Sequence, residues 1–205
     1  MGVYGEHVLP RLVDLTCGGS DMERWRRRAT EGLSGTVVEI GFGSGLNVPV
    51  YPVEVTRVLA VEPSEVARER SRRRRGHPDL EVEHVGLDGQ ALPLLDESCD
   101  AALSTFTLCT IPDVERALAE VRRVLRPGGR FHYLEHGLAP DESVRRWQRR
   151  AEPVQRRLAG GCHLTRDATE LVQGAGFRVE RSQSRYARGP KPWTWFTVGV
   201  AVHPG

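Results

Sequence analysis

Short β-branched and aliphatic runs alternate with stretches of helical period along most of this chain. That alternation predicts βαβ units around a parallel sheet. TVVEIG (36–41), RVLAVE (57–62), LEVEHV (80–85), DAALST (100–105) and RFHYLEH (130–136) are the strand runs. Between the fourth and fifth, in DVERALAEVRRVLRPGG, Val114, Ala117, Leu118, Val121, Val124 and Leu125 share one helical face. Asp113 offers that helix a cap, and Pro127, Gly128 and Gly129 offer it a stop. Next come a polar, Arg-rich helix near 141–158, a GGCHLTRD loop and a short helix at 167–175. Two closing strands, FRVERSQSRY and TWFTVGVAV, are joined by the short segment ARGPKP, which makes them an antiparallel edge. The expected class is α/β, a doubly wound sheet.

Composition narrows the setting. A chain of 205 residues, 39% hydrophobic and 27% charged, suits one globular domain with a sizeable core. Its 29 basic residues face 27 acidic ones, so no nucleic-acid partner is expected. The cluster RERSRRRRG (68–76) reads as a solvated helix face. Cys17, Cys99, Cys109 and Cys162 show no CxxC pairing, which fits a reducing cytoplasm better than a disulfide framework. Cys162 and His163 are adjacent but lack a matching pair, so no metal site is expected, and Cys109 reads as a small buried hydrophobe. MGVYGEHVLPRLVDL matches neither a secretory signal nor a myristoylation site, and no run reaches the roughly 18 apolar residues of a membrane span.

Candidate chemistry begins at the first strand's end, where EIGFGSG places Gly41, Gly43 and Gly45 in the first βα turn. In a doubly wound sheet this turn is the closest backbone approach to a ligand. The dinucleotide fingerprint is GxGxxG; here the spacing is GxGxG and Leu46 takes the sixth position, which disfavours a pyrophosphate. Glu62, at the end of the second strand, can accept both hydroxyls of a ribose, and Glu39 can hold an ammonium group. Ribose, ammonium and no phosphate together describe S-adenosylmethionine.

EIGFGSG, AVEPS, LDGQALPL and LRPGGR, in that order over about residues 36–136, resemble the motif set of class I S-adenosylmethionine-dependent methyltransferases. The resemblance implies a Rossmann-like methyltransferase sheet. It maps the glycine loop onto Gly41, Gly43 and Gly45, the ribose carboxylate onto Glu62, and the adenine contact onto Asp88 with Gly89. Asn47, Pro63 and Thr105 complete the expected cofactor edge. TFTLC, LEHG, RWQRR, GGCHLTRD and the closing aromatic strand are similar to the small thiol methyltransferases of the methyltransferase-like seven group and their bacterial relatives.

That similarity implies a small-molecule acceptor, favoured at a thiol sulfur, with S-adenosylhomocysteine as the product. O- or N-methylation of a lipid or natural product is the alternative within the class, and a cofactor-binding protein without catalysis the alternative outside it. Mammalian members carry a hydrophobic N-terminal anchor for which the opening residues offer no counterpart, so no stable membrane insertion is expected. Residues 1–34 read as a helical cap, 35–136 as the cofactor-binding core and 137–205 as the acceptor side of a single domain. The fourth strand ends in STFTLC, without the Asn or Asp and Pro-Pro-aromatic run of amino-methylating DNA enzymes. His136 ends the fifth strand at the ligand edge, either as general base or as a residue that shapes the pocket.

Overall fold

In a computed structural model, which describes residues 17–205, one seven-stranded sheet organises the chain. The strands are β1 (Gly35–Ile40), β2 (Val55–Val61), β3 (Glu81–Gly86), β4 (Cys99–Thr105), β5 (Leu125–His136), β6 (Arg178–Tyr186) and β7 (Trp195–Val202). Their order is β3-β2-β1-β4-β5-β7-β6. The first five run parallel, and β7 lies antiparallel to both β5 and β6. The helices are α1 (Ser20–Thr30), α2 (Glu65–Ser71), α3 (Val114–Val124), α4 (Glu142–Leu158), α5 (Ala168–Gly174) and α6 (Lys191–Thr194). The expected doubly wound sheet with an antiparallel C-terminal edge is the one found.

Successive side chains of a strand point to opposite faces, and both faces of a parallel sheet need cover. Val38, Ile40, Leu59, Val61, Phe131 and Tyr133 pack on one side against Leu118 and Val121 of α3 and Val172 of α5. Val37, Val58, Ala60, Leu103 and Leu134 pack on the other side against Trp25 and Ala29 of α1. The switch point between β1 and β4 lies within this double layer, so the strand ends that form the ligand edge have buried roots.

Two boundaries differ from expectation. Asp113 caps α3 by accepting from Arg116 N, as its position suggests, but the helix stops at Val124, before Pro127. Arg126, which precedes Pro127, is pushed out of the helical region, and the chain is already extended one residue earlier, at Leu125. Continuous pairing with β4 then resumes at Arg130, after a register shift. ARGPKP, read as a plain connector, ends in the first residues of the short α6, and within the antiparallel edge β7 lies between β5 and β6. Of the proposed N-terminal cap, residues 1–16 lie outside the described residues; α1 packs on β5, where Ala29 O accepts from His132 Nδ1 at 2.8 Å. Burial pushes His132 down to about 4, so it is neutral in the core. Among the described residues no helix is long and apolar enough to cross a membrane.

Tyr133 of β5 sits opposite Gly199 of β7, and a Cβ at Gly199 would lie 2.0 Å from the tyrosine ring. Gly199→Ala should therefore destabilise the fold by about 1–3 kcal/mol, lowering Tm by roughly 2–12 °C in a thermal melt. Gly174→Ala, where an added Cβ meets nothing within 4 Å, is the control and should be neutral or stabilising. Equal melting of the two variants would contradict this packing.

Candidate active site

The glycine loop leaves β1 with its backbone pinned: the N–H groups of Gly41 and Phe42 both donate to Val61 O, at 3.0 and 3.1 Å. Gly41 has φ 71° and Gly43 has φ 58°, in the left-handed region that favours glycine. The two serve different ends. A Cβ at Gly41 would lie 2.0 Å from Thr107 Oγ1, so that position is closed by the loop after β4. At Gly43 the nearest atom would be Gly41 O at 3.9 Å, which leaves open space in front of the turn.

Glu62 holds this turn in place. Its Oε2 accepts from Gly43 N and its Oε1 from Ser64 N, both at 2.8 Å. Burial raises its pKa, and the two N–H donors oppose that rise. Each carboxylate oxygen has two lone pairs, so each retains one acceptor site after its backbone bond. Pro63 follows, exposed, before Ser64 caps α2.

Glu39 is wholly buried and is engaged on both oxygens, by Asn47 Nδ2 at 2.6 Å and by the Tyr51 hydroxyl. It therefore acts on the edge through Asn47. Asn47 in turn donates to Thr105 Oγ1 at 3.0 Å, and Arg26 Nη1, from α1, donates to both Asn47 Oδ1 and Thr105 Oγ1 at 2.9 Å. Arg26 and Tyr51 carry no local motif and were missed from sequence. Burial lowers the Arg26 pKa and raises that of Glu39 to about 7. Asp88 stands apart: it is exposed, and its Oδ1 accepts from Gln90 N and Nε2, bonds that hold its pKa down. Gly89 beside it approaches Ile40 of β1.

At the β4 and β5 ends a second group assembles. Phe106 has φ 55°, a strained conformation for an aromatic residue, at the turn beyond β4. Glu135, 1% exposed, secures that turn by accepting from Ser104 Oγ, Thr107 N and Leu108 N at 2.8, 3.0 and 3.1 Å. His136 Nε2 lies 3.1 Å from Cys162 Sγ, and Cys162 also contacts Cys109. Sequence reasoning paired Cys162 with His163, but His163 instead faces Glu152 at 3.0 Å. Among the described residues, Cys109, His136 and Cys162 form one group of the kind that can hold a metal ion, a grouping that sequence reasoning did not bring together. Cys109 is buried as expected, though beside a thiol and an imidazole. The Cys109 hydrogen bond, and then His136, push Cys162 down to about 4. Burial lowers the His136 pKa, but Cys162 outweighs it and the net direction is up. A separate cleft of about 190 Å³, lined by Trp25, Arg28, Arg185 and Val198 among others, includes none of these residues.

Residues 38–133 match the family model described as a methyltransferase domain. Thiol S-methyltransferase TMT1B of Rattus norvegicus is 33% identical over 171 residues, covering 82% of this chain and 68% of the relative. The Homo sapiens TMT1B is 34% identical over 177 residues, covering 83% and 70%. Among solved structures, an S-adenosylmethionine-dependent methyltransferase from Thermotoga maritima shares 23% identity with a TM-score of 0.66, covering 97% of this chain and 99% of that one. Another from Mesorhizobium loti shares 19% identity with a TM-score of 0.60, covering 90% and 98%. These two show the same fold.

The buried Glu39 supplies a pH test. Its carboxyl is raised from 4.5 to about 7, so the folded protein keeps a proton that the unfolded chain releases. That stabilisation is full below the unfolded value and is lost as pH rises through 7. It amounts to on the order of 3 kcal/mol. In denaturant titrations, the stability difference between wild type and Glu39→Gln should change by about that amount between pH 4.5 and 8. A difference independent of pH would show that Glu39 is ionised throughout.

Proposed function

Because the chain belongs to the class I S-adenosylmethionine-dependent methyltransferases, in the group of the thiol S-methyltransferases, we propose that its acceptor is the sulfur of a small thiol. One observation carries the choice of atom: His136 Nε2 lies 3.1 Å from Cys162 Sγ and is engaged there. A free base for an alcohol or amine is thus lacking at His136. A thiol needs less help, since its ordinary pKa of about 8.5 leaves a usable thiolate fraction at neutral pH. The names of the relatives support the same reading.

The cofactor edge fits S-adenosylmethionine on the feature that would exclude it most easily, the open space in front of Gly43. When bound, the cofactor supplies a methyl group on a positively charged sulfonium. The free lone pairs of Glu62 would accept from the ribose hydroxyls, and Gly43 would bring backbone against the ligand, while Gly41 and Gly45 let the loop pack against Thr107 and against Ser71 and Val48. Asp88 and Gly89 would border the adenine, while Asn47, Pro63 and Thr105 shape the rest of the edge. Glu39 would orient Asn47. His136 stands at the acceptor side. Its part is to hold the pocket's shape and position the nucleophile, the effect expected to dominate a displacement of this kind. Four cysteines that form no disulfide, Cys109 and Cys162 among them in contact, fit a reducing cytoplasm.

Incubation with labelled S-adenosylmethionine and a panel of thiols, phenols and amines tests the acceptor. Label is expected in the thiols alone, and label confined to phenols or amines would overturn the choice of sulfur. Calorimetry tests the edge. Gly43→Val should abolish cofactor binding while far-ultraviolet circular dichroism still reports a folded protein. Glu62→Ala should weaken binding by about 1.5–3 kcal/mol, and unchanged affinity would mean that Glu62 serves the loop alone.

A further inference from the structure

We propose that Cys109, His136 and Cys162 form a zinc-binding site whose open fourth position takes the sulfur of the acceptor thiol. Only the fourth ligand rests on the thiol reading above; the three protein ligands stand on geometry. The two sulfurs and the imidazole nitrogen all lie within 4.8 Å of one another, with His136 Nε2 at 3.1 Å from Cys162 Sγ. In a tetrahedral zinc site, bonds of about 2.3 Å to sulfur and 2.0 Å to nitrogen place ligand atoms about 3.5–3.8 Å apart. Side-chain adjustments on the order of 1 Å would bring all three onto one ion. Two thiolates and an imidazole are a donor set that suits a d¹⁰ cation and discriminates against magnesium or calcium.

The three ligands come from separate segments, and the fold clamps those segments together. His163 N donates to Cys109 O at 2.8 Å, which joins the loop after β4 to the loop after α4. The Arg166 guanidinium reinforces the junction by donating to Leu108 O and Ile111 O at 2.5 and 2.7 Å. His136 enters from the last position of β5. Around the cluster, polar capacity is left unused: Glu135 Oε2 and His136 Nδ1 are buried without a partner. Glu135 lies within electrostatic reach of both Cys109 and His136. An unpaired carboxylate oxygen buried there costs free energy that a nearby divalent cation would offset. Gln155 Nε2 already donates to Cys162 Sγ at 3.7 Å, a contact that suits a metal-bound thiolate.

The cluster borders the cofactor edge. Cys109 lies two residues beyond Thr107, which fills the space beside Gly41 and donates to Gly41 O at 3.5 Å. Three protein ligands with one open position mark a reactive zinc site, as opposed to a closed structural one. A thiol that binds there loses its proton to solvent and is held as thiolate.

The full-length protein, stripped with a chelator under reducing conditions, can be titrated with Zn²⁺ alone against a chromophoric competitor. One equivalent should bind. Cys109→Ser and Cys162→Ser should each weaken binding at least tenfold, and Cys17→Ser should not. Loading with Co²⁺ should give sulfur-to-cobalt charge-transfer bands and a tetrahedral visible spectrum that changes when a small thiol is added. Failure of the wild type to retain zinc, or equal retention by the two cysteine variants, would overturn the site. A cobalt spectrum indifferent to thiol would overturn the fourth ligand. Thiol methylation by a protein that binds no zinc would sink the site and leave the proposed acceptor standing. Zinc binding by a protein that methylates no thiol would keep the three protein ligands and remove the fourth.

Discussion

Backbone N–H groups released beyond the carboxyl ends of parallel strands must find acceptors, because a buried unpaired donor is expensive. This chain answers with buried glutamates. Glu62 takes the N–H groups of Gly43 and Ser64, and Glu135 takes those of Thr107 and Leu108. Glu39 does the same work indirectly, by fixing Asn47 at the turn that follows the glycines. Loops that would otherwise be mobile are thereby tied to the rigid ends of β1, β2 and β5. The loops after β1, β2 and β4 all depend on those ties.

The same arrangement sets the electrostatics. Burial raises the pKa of all three glutamates, and the positive charge that balances this negative edge comes partly from outside the sheet. Arg26 reaches from α1 to Asn47 and Thr105, so α1 both covers one face of the core and joins this buried network. Beyond β5, Cys162 and His136 meet at 3.1 Å in a poorly solvated corner, where electrostatic interactions are stronger than in water.

How much of this could be read in the sequence follows from which interactions are local. Strand and helix positions could be read from the periodicity of TVVEIG or DVERALAEVRRVL, because burial of one face imposes that period on neighbouring residues. The α3 end could be misplaced by a few residues because proline constrains the position before it as well as its own. The insertion of β7 between β5 and β6 has no local signature; it depends on which edge the returning chain meets.

The sequence by itself determined the parallel core, the glycine turn and Glu62, since each is set by residues close together along the chain and by backbone geometry that glycine alone permits easily. Only the tertiary structure decided that Arg26 meets Thr105, 79 positions away, and that Cys162 faces Cys109 and His136 and not its neighbour His163. The paired occurrence of LEHG and GGCHLTRD was the one signal that those segments belong together. The physical reason is that side chains next to each other in a turn diverge, while the packing of loops from different strands brings distant ones within bonding reach.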